Sequence, residues 1–295
     1  MANPSPKLRP PVSPPMAASV GMLIAAMVSI QAGAVVAKGV FPIAGPAGVS
    51  ALRLGFGAVM LAIALQPWKA TLTWRSLRST LVYGVALGAM NLSLYEALAR
   101  IPLGVAVALE FTGPLALAAF SSRKGRDLIW VVLAASGLLL MTPLSGATDL
   151  NPLGVVFALA AGMCWASYIV AGRLAGAEHG ARATALGCLV AAALVIPIGV
   201  IQAGAALLDP ALILPGLSIA LLSTALPYTL EMIVMGRMSV RVFGVLMSLE
   251  PAIGAASGWL FLHQSLTAPQ GLAIAAVIAA SVGVTLTADR AAPDA

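Results

Sequence analysis

Leu109-Glu110-Phe111-Thr112-Gly113-Pro114 sets a carboxylate and a Gly-Pro pair inside an apolar stretch that runs from about residue 102 to 121. Proline lacks the backbone donor an α-helix needs and bends the helix that contains it. A charged side chain at the centre of a bilayer costs about 2.5–3.5 kcal/mol on insertion scales, so its placement there calls for a role beyond burial. Leu249-Glu250-Pro251 repeats the arrangement inside a second long apolar stretch. Two glutamate-proline echoes in two apolar segments point to a helical membrane chain built from related halves.

Composition agrees. The 295 residues are 60% hydrophobic and only 9% charged, with a mean hydropathy of +1.01, values that belong to integral membrane proteins. The net charge of +6 is spread over short loops rather than gathered into a basic patch with interleaved aromatics, which argues against a nucleic-acid partner. Cys164 and Cys188 stand alone in apolar segments and are read as buried spectators, with neither metal nor disulfide signalled. His179 and His263 fall in expected loops on opposite membrane faces, so no Ser/His triad, zinc motif or intramembrane aspartyl pair assembles. No P-loop is present. The chain reads as a non-enzyme without cofactor or metal.

Ten apolar segments of spanning length follow one another: 16–37, 46–66, 79–99, 102–121, 128–144, 153–173, 183–203, 212–235, 241–262 and 268–288. The fold expected is all-α, ten transmembrane helices in two five-helix repeats, 16–145 and 146–288. A Pro-rich tail, 1–15, precedes them, and a short tail, 289–295, follows. The first segment is too long for a signal-peptide core and is taken as a retained helix. With the N-terminus inside, thirteen of the sixteen Lys and Arg residues fall on the cytoplasmic side, leaving Lys38 and Arg100 outside and Arg53 within the membrane. That asymmetry places both termini in the cytoplasm.

The halves also align. Glu96 and Glu231 lie 135 residues apart, as do Lys38 and Arg173; Arg100 and Arg237 lie 137 apart, as do Pro114 and Pro251. Five helices is an odd number, so the second copy enters the membrane with opposite polarity, the inverted repeat of many secondary transporters. Superposing the prolines puts Glu110 opposite Met247, one turn from Glu250, so both carboxylates can face one central cavity. Pro114 and Pro251 are the expected hinges.

The intramembrane ionisable set is Arg53, Glu96, Glu110, Glu231 and Glu250. An apolar setting favours the neutral form of a carboxyl group, so a glutamate there can trade a proton for a substrate ammonium. Arg53 stays charged. Two readings are open for it: an ion pair with Glu110 or Glu250, or a bidentate contact with a substrate carboxylate. Glu96, near a helix end, is read as a partner of Arg100. Ser29, Gln31, Asn91, Tyr95, Trp165, Ser167, Tyr168 and Tyr228 can complete a cavity, with Gln31 and Asn91 ranked first because an amide both donates and accepts. Gly84-x-x-x-Gly88 and Gly254-x-x-x-Gly258 read as close helix packing or as the face of a homodimer.

Ser29-Ile30-Gln31-Ala32-Gly33 with Lys38, Leu109 to Leu115, Ser223-Thr224-Ala225-Leu226-Pro227-Tyr228 with Glu231, and Leu246-Met247-Ser248-Leu249-Glu250-Pro251 together resemble the drug/metabolite transporter superfamily with two EamA-type repeats. The resemblance extends from about residue 16 to 288. It implies a bacterial inner-membrane protein that exports threonine, homoserine and related small amino acids, driven by the proton gradient. On that reading Arg53 positions the carboxylate, while Glu110 and Glu250 alternately hold the amine or a proton. Neither Glu96 nor the Pro-rich tail belongs to the shared pattern, so neither is given a transport role. A broader metabolite or drug exporter is the nearest rival, and a non-transporting membrane scaffold is another. Five tryptophans and four tyrosines are few for a wide aromatic cavity and favour a small polar substrate.

Overall fold

The structure, a computed structural model, describes residues 16–98, 100–101, 103–121, 125–141, 151–247, 249–250, 253, 271–272, 275–276, 278–280 and 282–283. Every regular element among them is helical. Helix α1 (Met16–Leu65) is two helices joined at Gly45, whose φ of 65° and ψ of 169° lie outside helical space, with Pro42 and Pro46 on either side. Only glycine adopts that conformation without strain. The join falls between the expected segments 16–37 and 46–66. A 3-10 turn, Pro67–Lys69, leads to α2 (Trp74–Leu98). Its start is fixed by a reciprocal cap: the Thr73 amide donates to the Ser76 hydroxyl at 2.9 Å, and the Ser76 amide to the Thr73 hydroxyl at 3.2 Å.

Helices α3 (Leu103–Phe120), α4 (Gly125–Met141), α5 (Pro152–His179) and α6 (Arg182–Ala203) follow. Asn151 caps α5 by accepting from the Leu153 and Gly154 amides, with Pro152 at the first helical position. Helix α5 runs six residues past the expected end at 173. It ends at Gly180, whose positive φ of 57° closes the last turn onto the Gly176 carbonyl, while the Arg173 guanidinium reaches the Met238 carbonyl at 2.7 Å. Helix α7 (Ile213–Ala220) continues through a π turn, Leu221–Ala225, into α8 (Leu226–Met235), and α9 (Val240–Met247) comes next.

Five spans among the described residues are long and apolar enough to cross a bilayer: Met16–Gly33, Gly39–Leu65, Pro152–His179, Arg182–Leu208 and Pro210–Met235. Leu109–Phe120 and Leu128–Gly137 are shorter apolar helices. The expected segments 241–262 and 268–288 lie mostly outside the described residues.

Packing is set by glycines. A Cβ at Gly84 would sit 2.6 Å from the Gly187 carbonyl, and one at Gly88 3.0 Å from Leu194, so α2 lies directly on α6. These contacts are internal, and the dimer-face reading of Gly84-x-x-x-Gly88 is corrected accordingly. Gly199 presses α6 onto Ala47 and Ala51 of α1; Gly113 and Gly162 press α3 onto α5. Tyr83, Tyr168, Phe111, Leu87, Met235 and Leu246 fill the core between these helices.

Candidate functional site

Arg53 lies in the second part of α1, facing α2 and α8. Its guanidinium donates to the Asn91 side-chain oxygen and, at 2.7 Å, to the Tyr228 hydroxyl. Asn91, only 2% exposed, is itself oriented by a 2.8 Å hydrogen bond to the Leu87 carbonyl. Both partners of the guanidinium are neutral, and among the described residues no carboxylate lies within ion-pair distance of it. Arg53 Nε is buried without a partner. A buried cation held by neutral groups keeps its attraction for an anion.

Three residues beyond Tyr228 on α8 sits Glu231, 3% exposed. The Tyr168 hydroxyl of α5 donates to its carboxylate at 2.8 Å. Tyr83 of α2 stacks on Tyr168 with ring centroids 5.1 Å apart, and Tyr168 in turn lies 6.3 Å from the Tyr228 ring. Two tyrosines, Tyr168 and Tyr228, thus connect Glu231 to Arg53 through hydroxyl and ring contacts, with Tyr83 stacked against the first.

Glu110 is 5% exposed on α3, and Glu250 is half-buried just after α9. Glu110, Glu250 and Arg53 lie within electrostatic range of one another, as do Glu231, Glu250 and Arg53. Around Glu110 the backbone follows a local logic. Pro114 cannot donate to the Glu110 carbonyl one turn before it. Gly162 of α5 lies against that carbonyl, so closely that a Cβ there would come within 2.6 Å of it. Only a glycine backbone can approach this near, through its Cα hydrogens. Beside this contact Phe111 meets Trp165 edge to face at 4.6 Å.

The π turn obeys the same accounting. Its bonds run five residues back, as from the Leu226 amide to the Leu221 carbonyl. The next in register would come from Pro227, which has no N–H. The Leu222 carbonyl left over accepts from the Ser29 hydroxyl at 2.7 Å.

Residues 152–286 match the EamA-like transporter family. The threonine/homoserine exporter RhtA of Escherichia coli K12 is 51% identical over 267 residues, covering 90% of each chain. RhtA of Salmonella typhimurium SL1344 is 50% identical over 270 residues, covering 91% of this chain and 92% of its own. The chain belongs to the EamA-like transporter family. A crystal structure with 19% identity superposes with a TM-score of 0.75 over 93% of this chain and 98% of that one, a likeness of fold alone.

In this EamA-like transporter the expected site residues divide. Arg53, Asn91 and Tyr228 are brought into direct contact, with Glu231 joined through Tyr168. Glu110 and Glu250 come near without touching Arg53, so the ion pair considered for it is replaced by neutral partners. Gln31 is half-buried on α1 and outside the hydrogen-bonded set. Ser29, grouped with cavity residues, instead ties α1 to the π turn. Ser167 is exposed and bonds its own helix at the Met163 carbonyl. Glu96 pairs with Arg100 as expected. His179, expected in a solvated loop, ends α5 with its Nε2 buried. Pro251, Gly254, Gly258 and His263 lie outside the described residues, as does the Lys38 side chain. Tyr83 was missed altogether: a lone tyrosine in an apolar helix carries no signal until its stacking partner is seen.

Proposed function

We propose that the chain exports small neutral amino acids, with threonine and homoserine as the leading substrates, in exchange for protons. Its relatives of about half identity carry the name threonine/homoserine exporter. At the site, the reading is carried by Arg53, whose charge is held by Asn91 and Tyr228 with no carboxylate of the described residues in contact. A zwitterion supplies the missing anion, and its ammonium group faces the nearby glutamates. Arg53 holds the carboxylate in a bidentate contact. Glu110 and Glu250 then alternately hold the ammonium group or a proton as access alternates, and Glu231 takes up and releases the coupled proton.

The architecture proposed is ten helices in two inverted repeats, 16–145 and 146–288, in the bacterial inner membrane with both termini cytoplasmic. Mirrored helix contacts support it. Gly84 sets α2 on α6, and Gly216 sets α7 on Phe56 of α1; Gly172 packs α5 on Tyr83, and Gly33 packs α1 on Leu222 and Ser223. Each pair relates one half's first three helices to the other's with roles exchanged. The distribution of Lys and Arg supports the orientation.

Counterflow tests the reading. Proteoliposomes preloaded with unlabelled threonine take up labelled threonine, and homoserine competes while a bulky hydrophobic cation does not. Absent counterflow, or competition by the cation alone, would remove the amino-acid assignment and leave only the fold.

A further inference from the structure

Several helical hydroxyls among the described residues return a hydrogen bond to their own helix, as Ser167, Ser218 and Thr229 do to the carbonyls four residues before them. Thr80, Tyr83 and Thr184 do not. All three are buried, at 3%, 0% and 0% exposure, and their hydroxyl oxygens have no protein partner. They also share one place. Helices α2 and α6 run side by side with Gly84 on Gly187 and Gly88 on Ala191. Thr80 and Thr184 each sit about one turn before that contact, at the same level. The Tyr83 ring lies against Gly187 and Gly172, and its hydroxyl is within electrostatic range of the Tyr168 hydroxyl. Tyr168 donates to Glu231.

Below Thr80 and Thr184 is the end of the bundle that carries Lys69, Arg75, Arg78 and Arg182. There the Ser79 hydroxyl donates to Glu178 at 3.0 Å, joining α2 to the end of α5, and His179 Nε2 is buried without a partner. A line of unsatisfied polar groups therefore runs from the basic end of the bundle, between α2, α5 and α6, to one buried carboxylate. Buried polar groups without protein partners are where internal water binds, each water usually meeting two to four of them.

We propose that Thr80, Thr184, Tyr83 and Tyr168 line a water file through which Glu231 exchanges its proton with the basic, cytoplasmic end of the molecule. This rests on the proton-coupled reading above and gives it a route. In release, the Tyr168 hydroxyl turns its hydrogen from protonated Glu231 to the next member of the file; the Glu231 O–H bond then breaks and its proton passes to the Tyr168 oxygen as the Tyr168 hydroxyl proton moves on. Each member gives up one proton and takes one. The net change is one proton lost at Glu231 and one gained by water at the mouth. The titratable and charged groups around Glu231 are Tyr168 on α5, Tyr83 on α2, Arg53 on α1, Tyr228 on α8 itself and Glu250 beyond α9, with Cys188 of α6 in range of Tyr83, Tyr228 and Arg53. Of these, Tyr168 leads to Tyr83, whose unpartnered hydroxyl is followed toward the basic end by those of Thr80 and Thr184.

The test needs no substrate. A rapid pH jump on the purified full-length protein, followed by time-resolved infrared absorption of the carboxyl stretch, reads protonation of Glu231, whose band is identified by its loss in Glu231→Gln. Tyr83→Phe keeps the ring and removes the hydroxyl; Thr80→Val and Thr184→Val keep shape. Each slows the Glu231 band by about a hundredfold, the low side of what a positioned proton-transfer group contributes. Unchanged rates in all three variants overturn the file, as does a wild-type band that never responds to the jump. The threonine variants decide the matter even where Tyr83→Phe fails to fold. Failure of the transport reading shows separately, as absent counterflow with the infrared kinetics intact.

Discussion

The Arg53 guanidinium donates a 2.7 Å hydrogen bond to the Tyr228 hydroxyl, tying α1 to α8 within the core. The bond orients a charge that has no carboxylate partner among the described residues. Hydrogen bonds to charged groups contribute about 1.5–3 kcal/mol. Tyr228→Phe removes this one while leaving the ring. The guanidinium is then held by Asn91 alone, and the KM for threonine counterflow rises about tenfold, equivalent to about 1.4 kcal/mol. Arg53→Lys, with one point charge in place of a fork, raises it further. A KM within twofold of wild type in Tyr228→Phe would show that this bond serves the helices rather than the substrate.

Glu231 separates exchange from coupling. Counterflow at equal pH moves one amino acid in for one out and needs no net proton transfer, whereas accumulation against a pH gradient needs a group that takes up and releases one. Glu231→Gln therefore keeps counterflow and loses pH-driven accumulation in the same proteoliposomes. Tyr168→Phe, which deprives the carboxylate of its 2.8 Å donor, retains part of the accumulation. Normal accumulation by Glu231→Gln would transfer the coupling role to Glu110 or Glu250.

Much of this was legible beforehand, for identifiable reasons. The membrane class follows from bulk hydropathy, and the approximate limits of several helices before residue 236 from apolar run lengths, because a bilayer imposes both. Glutamates in apolar helices stand out since their cost there is high. The partners of Arg53 were not legible. Asn91 and Tyr228 lie 38 and 175 residues away in the chain, and only the folded arrangement selects them over two nearer-seeming carboxylates. Gly162 was equally silent, because one glycine among twenty-nine shows its purpose only when the carbonyl freed by Pro114 is placed against it. The end of α5 was misjudged by six residues: Arg173 looked like a boundary charge and instead reaches a backbone carbonyl within the fold.

Gly113 and Gly162 let the backbones of α3 and α5 meet directly. A Cβ at Gly113 would lie 1.9 Å from the Gly162 carbonyl, a backbone atom that cannot swing aside. Gly113→Ala must push α3 from α5 and disturb Glu110 one turn away, at a cost of about 3 kcal/mol, the upper part of the overpacking range. Gly21→Ala is the control. Nothing lies within 4 Å of its Cβ, and alanine improves helix propensity by up to about 1 kcal/mol. Thermal unfolding in detergent should separate the two, Gly113→Ala melting well below wild type and Gly21→Ala at or above it. Equal melting would mean the α3–α5 contact is looser than these distances.

Ser29 offers a test of the π turn. Pro227 cannot supply the amide that the Leu222 carbonyl would accept from in π register, and the Ser29 hydroxyl takes its place at 2.7 Å across from α1. Ser29→Ala leaves that carbonyl without a donor at a helix interface. Interhelical hydrogen bonds within membranes average about 0.6 kcal/mol and reach about 1.7, so a loss of about 1 kcal/mol is expected in thermal unfolding. Pro227→Ala restores the backbone N–H and makes the hydroxyl redundant. In the Pro227→Ala background, therefore, Ser29→Ala should cost little or nothing. Additive losses in the double variant would mean that Ser29 acts through packing rather than by satisfying the carbonyl that proline leaves open.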